Sequence, residues 1–154
     1  MRKEEIVKHY ESFSLWLESL KKVEQKRWQQ PVSEGKWPVA AVVAHLLFWD
    51  RYSLKERFPL FKEGAELESF PDFQSVNDAA KKYAAKHDQI EIISELLTVR
   101  EQFLKMLHNF TEENMDTSFM IGKHSLTIRD YFVDFVEHDL HHKKQIMEAT
   151  GVDN

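Results

Sequence analysis

Along four stretches of this chain, apolar residues return every three or four positions, the pattern of a helix with one buried face. The clearest case opens the sequence. Ile6, Tyr10, Phe13, Leu17, Leu20 and Val23 follow at such intervals, with Lys and Glu on the other faces. They predict a helix from about residue 3 to about 24. Gln30-Pro31-Val32-Ser33-Glu34-Gly35 reads as a loop. A second helix is expected to begin at Pro38, whose missing N–H costs nothing in a first turn. It runs through Ala41, Val42, His45, Leu46 and Trp49 to about Phe58.

Pro59, Gly64 and Pro71 then mark a long irregular connection rich in Phe and Glu, of a length usually kept for functional or mobile segments. From Ser75, with Asp78 as a capping-box partner, Tyr83, Ile90, Ile93, Leu96, Leu97, Phe103, Leu104 and Leu107 predict one long helix. It bends near His87–Asp88 and ends about Asn109. Thr111 to Lys123 is a connection with room for a short turn or two. Thr127 and Asp130 supply an N-cap and an N3 carboxylate for a last helix that reaches about Thr150, with Gly151 as its C′ residue.

Four long amphipathic segments and no convincing strand predict an all-α four-helix bundle, antiparallel, with a long connection between helices 2 and 3. Residues 1–154 are read as a single domain. Composition agrees: four Gly and four Pro are too few turn formers for a β-sandwich. At 42% hydrophobic, the chain can fill a core and is not wholly disordered. A net charge of −5 argues against nucleic acid as the main partner. The longest strongly apolar stretch, Val39 to Trp49, falls far short of the roughly 20 residues that cross a bilayer. The opening MRKEEIVKHY has no apolar run of signal-peptide type. The expectation is therefore a cytoplasmic protein with no membrane partner.

There is no cysteine, which removes disulfides, thiolate nucleophiles and Cys-based metal sites. Histidine is what remains. On the last helix the stripe Ile128, Tyr131, Phe135 continues by three and then four residues to His138 and His142, and then to Ile146. Imidazoles at i and i+4 project from one helix face about a turn apart, which is metal-ligand spacing. His141 lies about 80° off that pair and reads as a flanking residue. His45 falls between Ala41 and Trp49 on a helix apolar on most faces. Bundles assemble metal sites from inward-facing side chains of facing helices, and three protein ligands leave a position open, the catalytic pattern. The competing reading is a hydrogen-bonded core cluster with Asp50, Asp134 or Asp139 as partners. Two further residues are candidates for catalysis: His124, before the last helix, as an acid–base group at a pocket mouth, and Asp50, to orient His45 or a water. Trp28, Trp37 and Trp49 serve either as core and loop anchors or as a substrate-facing wall.

Three strings carry a family resemblance. His138-Asp-Leu-His141-His142-Lys-Lys-Gln145-Ile146 resembles the last-helix signature of the DinB/YfiT-like superfamily. Lys36-Trp37-Pro38 leading into Val43-Ala44-His45-Leu46-Leu47-Phe48-Trp49-Asp50 is similar to its second-helix motif, and Gly122 to Tyr131 resembles the segment that opens its final helix. The resemblance implies a four-helix bundle holding a divalent metal, zinc or nickel, on His45, His138 and His142. It also implies a small-molecule substrate, a low-molecular-weight thiol as co-reactant in some members, and a homodimer. The metal would activate a water or a thiol for hydrolysis or transfer. Pro71-Asp-Phe-Gln-Ser-Val-Asn77 resembles the loop before the third helix in the ClbS/DfsB-type branch. That likeness implies one alternative, a self-resistance protein without a functional metal; another is a non-catalytic binding or sequestration module of the same fold, its histidines only hydrogen-bonded.

Overall fold

The computed structural model describes residues 1–152. Helix α1 (Lys3–Ser19) is extended by a 3-10 turn, Leu20–Lys22, and followed by the short α2 (Gln25–Trp28). Then come α3 (Val39–Tyr52), α4 (Phe73–Lys86), α5 (Gln89–Asn109) and α6 (Ile128–Thr150). α1, α3, α5 and α6 form a four-helix bundle in which the neighbours around the ring run α1, α5, α3, α6. Helices that follow one another in the chain, α1 and α3 or α5 and α6, therefore lie across the diagonal. α4 packs on the outside of α3. This sandwiching explains why α3 is apolar on nearly every face: it has bundle on one side and α4 on the other. Ala40 and Ala44 of α3 and Ala80 and Ala84 of α4 pack in or against the core, small residues that let two helices approach closely.

The predicted third helix is two helices. His87 is extended (φ −120°, ψ 149°), and Asp88 restarts the chain by accepting a hydrogen bond from Glu91 N at 2.8 Å. The first of the two begins earlier than the Ser75–Asp78 reading, because Asp72 is the N-cap and accepts from Ser75 N. Pro38 likewise precedes its helix as N-cap instead of opening the first turn. At the far end Thr127 and Asp130 form the expected capping box and Gly151 takes the left-handed conformation at φ +73°.

The sequence also hid a small sheet. β1 (Glu66–Leu67) pairs parallel with β2 (Ser118–Ile121), which pairs antiparallel with β3 (His124–Thr127). Strands of two to four residues are too short for alternation to register. Gly122 makes the β2–β3 turn at φ +58°, and a Cβ there would stand 2.6 Å from Ser69 Oγ. The sheet pins the long connection, through Met120 N to Ala65 O (2.8 Å) and Gly122 N to Leu67 O (2.9 Å). α3 stops at Tyr52, short of the expected Phe58, and passes into a π-helical turn, Ser53–Arg57. The buried Arg57 lies over the Tyr52 and Phe70 rings (5.2 and 4.7 Å) and donates from Nη1 to Glu68 O at 2.6 Å. Phe70 is thereby held against the end of α3.

At the bundle centre is a charge cluster to which each bundle helix contributes one residue. Arg100 of α5, with no exposed surface, donates from Nε to Asp50 of α3 (2.5 Å) and from Nη1 and Nη2 to Asp139 of α6 (2.5 and 2.7 Å). His9 of α1 lies 2.8 Å from Asp139 Oδ2. The guanidinium also lies over the Tyr10 and Phe13 rings. Burial raises Asp50, with Arg100 pulling the other way. For Asp139 burial pushes up as well, but the two-point contact with Arg100 prevails and holds it below the usual carboxylate range. Among the described residues no helix is long and apolar enough to cross a membrane.

Candidate metal centre

His45 sits in the middle of α3, buried; His138 is exposed and His142 half-buried, one turn apart on the neighbouring α6. His45 Nε2 lies 3.2 Å from His138 Nε2, and His138 Nε2 lies 3.0 Å from His142 Nε2. One nitrogen from each ring falls within 4.8 Å of the others.

The neighbours determine which nitrogens carry protons. Trp49 Nε1 is 3.1 Å from Asn77 Oδ1. An indole N–H can only donate, so the amide atom it meets must be the oxygen. The same oxygen is 2.8 Å from His45 Nδ1, which therefore carries its hydrogen and leaves the lone pair on Nε2. His142 Nδ1 is 2.8 Å from Gln145 Oε1; with that oxygen accepting, Nδ1 carries the hydrogen and the Nε2 lone pair faces inward, although no obligate donor fixes this amide as Trp49 fixes that of Asn77. A single proton on His138 Nε2 can satisfy only one of the two facing lone pairs. A cation satisfies all three. Tetrahedral zinc bonded to imidazoles at about 2.0–2.1 Å sets adjacent nitrogens about 3.3 Å apart, so the two spacings from His138 fit such an ion after a few tenths of an ångström of expansion.

Electrostatics favour the same use. Burial, and then the neighbouring His142 and His138, push His45 down to about 4 against the opposing Asn77 hydrogen bond. His138, an exposed residue whose ring is nonetheless packed against the other two, is also lowered to about 4, by desolvation and then by His142, and burial lowers His142 as well. At neutral pH the three rings are thus neutral, and a metal meets no imidazolium charge there.

The other sequence candidates lie elsewhere. Asp50 turns to Arg100, and the partners of the imidazoles are Asn77 and Gln145 in place of Asp50, Asp134 or Asp139. His124 is exposed on β3, before α6 begins. His138 lies ten residues into that helix, about 15 Å along the axis. His141 is exposed, its ring 5.0 Å from that of His142. The buried line of α6 runs Ile128, Tyr131, Phe132, Val136, Asp139, Ile146. The polar residue at the core position is therefore Asp139, and His138 stands on the stripe's edge, where a site can be reached from outside.

Two clefts reach the histidines. One, of about 390 Å³, is lined by His45 and His138 with Trp49, Phe70, Phe73 and Phe135, and by Asn77 and Asp134. The other, of about 270 Å³, meets His142 beside Lys36, Trp37 and Gln145. Trp37 stands edge-on to His45 at 5.4 Å, while Trp28 is buried in the core. Sequence reasoning singled out the Pro71–Asn77 string by its resemblance but not the contact of Asn77 with His45 or the Phe70–Phe73 wall, since α4 and the segment before it reach α3 only through tertiary packing. Arg100 did leave a signal: it falls between Leu96 and Phe103 on the buried stripe of α5.

A sequence model of the DinB superfamily matches residues 5–146. The chain belongs to the DinB superfamily. None of the curated proteins matches it. Among solved structures this DinB-superfamily chain is similar to YfiT from Bacillus subtilis, with a TM-score of 0.82 and 19% identity over 96% of this chain and 85% of that one. That protein is described as a probable metal-dependent hydrolase with an unusual four-helix bundle topology. At this identity the likeness shows a shared fold, and the diagonal order of α1, α3, α5 and α6 is the form that fold takes here.

Proposed function

We propose that this protein is a metal-dependent enzyme acting on a small molecule by hydrolysis or by transfer of a thiol. His45, His138 and His142 would hold the divalent metal, zinc or nickel, both of which accept imidazole nitrogen. The observation that carries this reading is the convergence of three Nε2 atoms, with the lone pair of His45 fixed inward by Asn77 and that of His142 favoured by Gln145. When bound, the metal supplies Lewis acidity and lowers the pKa of a ligated water or thiol. Asn77 and Gln145 keep two rings in the metal-binding tautomer, the role such partners play around metal sites generally. The aromatic wall of the larger cleft gives a substrate an apolar surface beside two of the three histidines. With no cysteine in the chain, a thiol nucleophile has to arrive as a small molecule. The description of YfiT as a probable metal-dependent hydrolase supports the hydrolytic form.

Elemental analysis of protein purified without chelator, followed by zinc and nickel titration of stripped protein, tests the proposal. One metal per chain is expected, lost in His138→Ala while the helical circular dichroism remains. Absence of stoichiometric uptake of either metal would sink it and leave a sequestration protein as the reading.

A further inference from the structure

The larger cleft has features that holding a metal does not require. Asn77 Oδ1 is fully used, accepting from both His45 Nδ1 and Trp49 Nε1. This fixes the orientation of the whole amide, and its Nδ2 group makes no hydrogen bond among the described residues. Asn77 lines the cleft beside His45 and His138, so a fixed pair of N–H donors borders an otherwise apolar wall next to the triad. That wall is made of flat rings: Trp49, Phe70 and Phe73 lie 5.1 to 6.1 Å from one another, with Phe135 on α6. Phe73 is 60% exposed and Phe70 37%, and among the described residues they are the only exposed Phe, Tyr or Trp side chains. Large rings held in water at a cleft mouth are a binding feature more than a packing one. No Lys or Arg lines this cleft, and the carboxylate there, Asp134, would repel an anion.

We propose that the cleft binds a flat, uncharged aromatic or conjugated molecule whose carbonyl oxygen accepts a hydrogen bond from Asn77 Nδ2. The inference rests on the reading of the triad as the reaction site only for its purpose; recognition is by Asn77 and the rings. A carbonyl held there lies beside the metal site, where a hydrolysed acyl group or a conjugated electrophile has to be. A volume of about 390 Å³ is at the low end of ordinary small-molecule sites and admits a two-ring compound.

The test is an NMR titration of protein with labelled Asn side chains, metal-free and zinc-loaded in parallel, using 2-naphthamide, 2-naphthoate and 2-methylnaphthalene. The expected result is saturable binding in which 2-naphthamide moves the Asn77 Nδ2 proton resonances and 2-methylnaphthalene does not. The amide should bind about tenfold more tightly than the hydrocarbon, the worth of one good hydrogen bond. The naphthoate should bind more weakly than the amide to the metal-free protein. Asn77→Asp keeps the acceptor for His45 and Trp49 and removes the donor, and should abolish the preference for the amide. Phe73→Ala, at a site too exposed to endanger folding, should weaken all three by about tenfold. Binding that ignores Phe73→Ala, or an Asn77 amide resonance unmoved by 2-naphthamide, overturns the inference. The metal-free arm keeps the two claims apart: a protein that takes up no metal and still shifts Asn77 with 2-naphthamide refutes the metal reading alone. Metal uptake without that shift refutes the cleft alone.

Discussion

Asn77 does its work through one oxygen. Because an indole N–H cannot accept, its contact with Trp49 forces the amide orientation, the amide forces the tautomer of His45, and the tautomer turns a lone pair toward His138. Gln145, through Oε1, takes the Nδ1 hydrogen of His142, and partners of this kind contribute about ten- to hundredfold in metal affinity. Gln145→Leu should therefore weaken zinc binding by about tenfold or more in a competitive chelator titration. Acid sensitivity is also set at this scale. The metal-free protein holds His45 and His138 near about 4, whereas an unfolded chain binds those protons at about 6.5. Between these values the unfolded state carries more protons, so stability falls as pH drops from about 6.5 toward 4 and is unaffected above. Urea unfolding of stripped protein at pH 7.5 and pH 5 should show the loss, and His45→Gln should flatten it.

At the level of helices and strands, the long amphipathic segments were legible because three to six turns repeat the same spacing. What was not legible depended on local or tertiary competition. The third segment was expected to bend near His87–Asp88, and the structure breaks it there outright, at one extended residue, His87. The β2–β3 hairpin is too short to show alternation and depends on Gly122, whose positive φ and close approach to Ser69 were not evident from sequence. Gly122→Ala should cost about 1–3 kcal/mol through that strained backbone and the clash, measured by thermal unfolding. His138 and His142 were found from their i, i+4 spacing, yet the stripe drawn through them was displaced from the true one. Asp139 occupies the core position; the sequence offered it as a partner for the candidate histidines, and its partner across the bundle is Arg100.

Across the whole molecule, the cluster of His9, Asp50, Arg100 and Asp139 ties all four bundle helices together beneath the histidines. Asp50 lies five residues beyond His45 and Asp139 next to His138, so the guanidinium sets the separation of the two helices that carry the triad. Removing it leaves two carboxylates buried without their counter-charge, and Arg100→Met should cost about 3–5 kcal/mol in urea unfolding. The aromatic cleft, the sheet that pins its rim and the charge cluster all serve one place in the bundle. The claim on which the rest depends is that His45, His138 and His142 hold a metal with a position left open. X-ray absorption spectroscopy on zinc- or nickel-loaded protein measures this directly. Three imidazole nitrogens and at least one oxygen from solvent are the expected ligands, with the imidazole signal reduced in His138→Ala. A spectrum without imidazole scattering, or with a fourth protein ligand closing the site, would contradict the account.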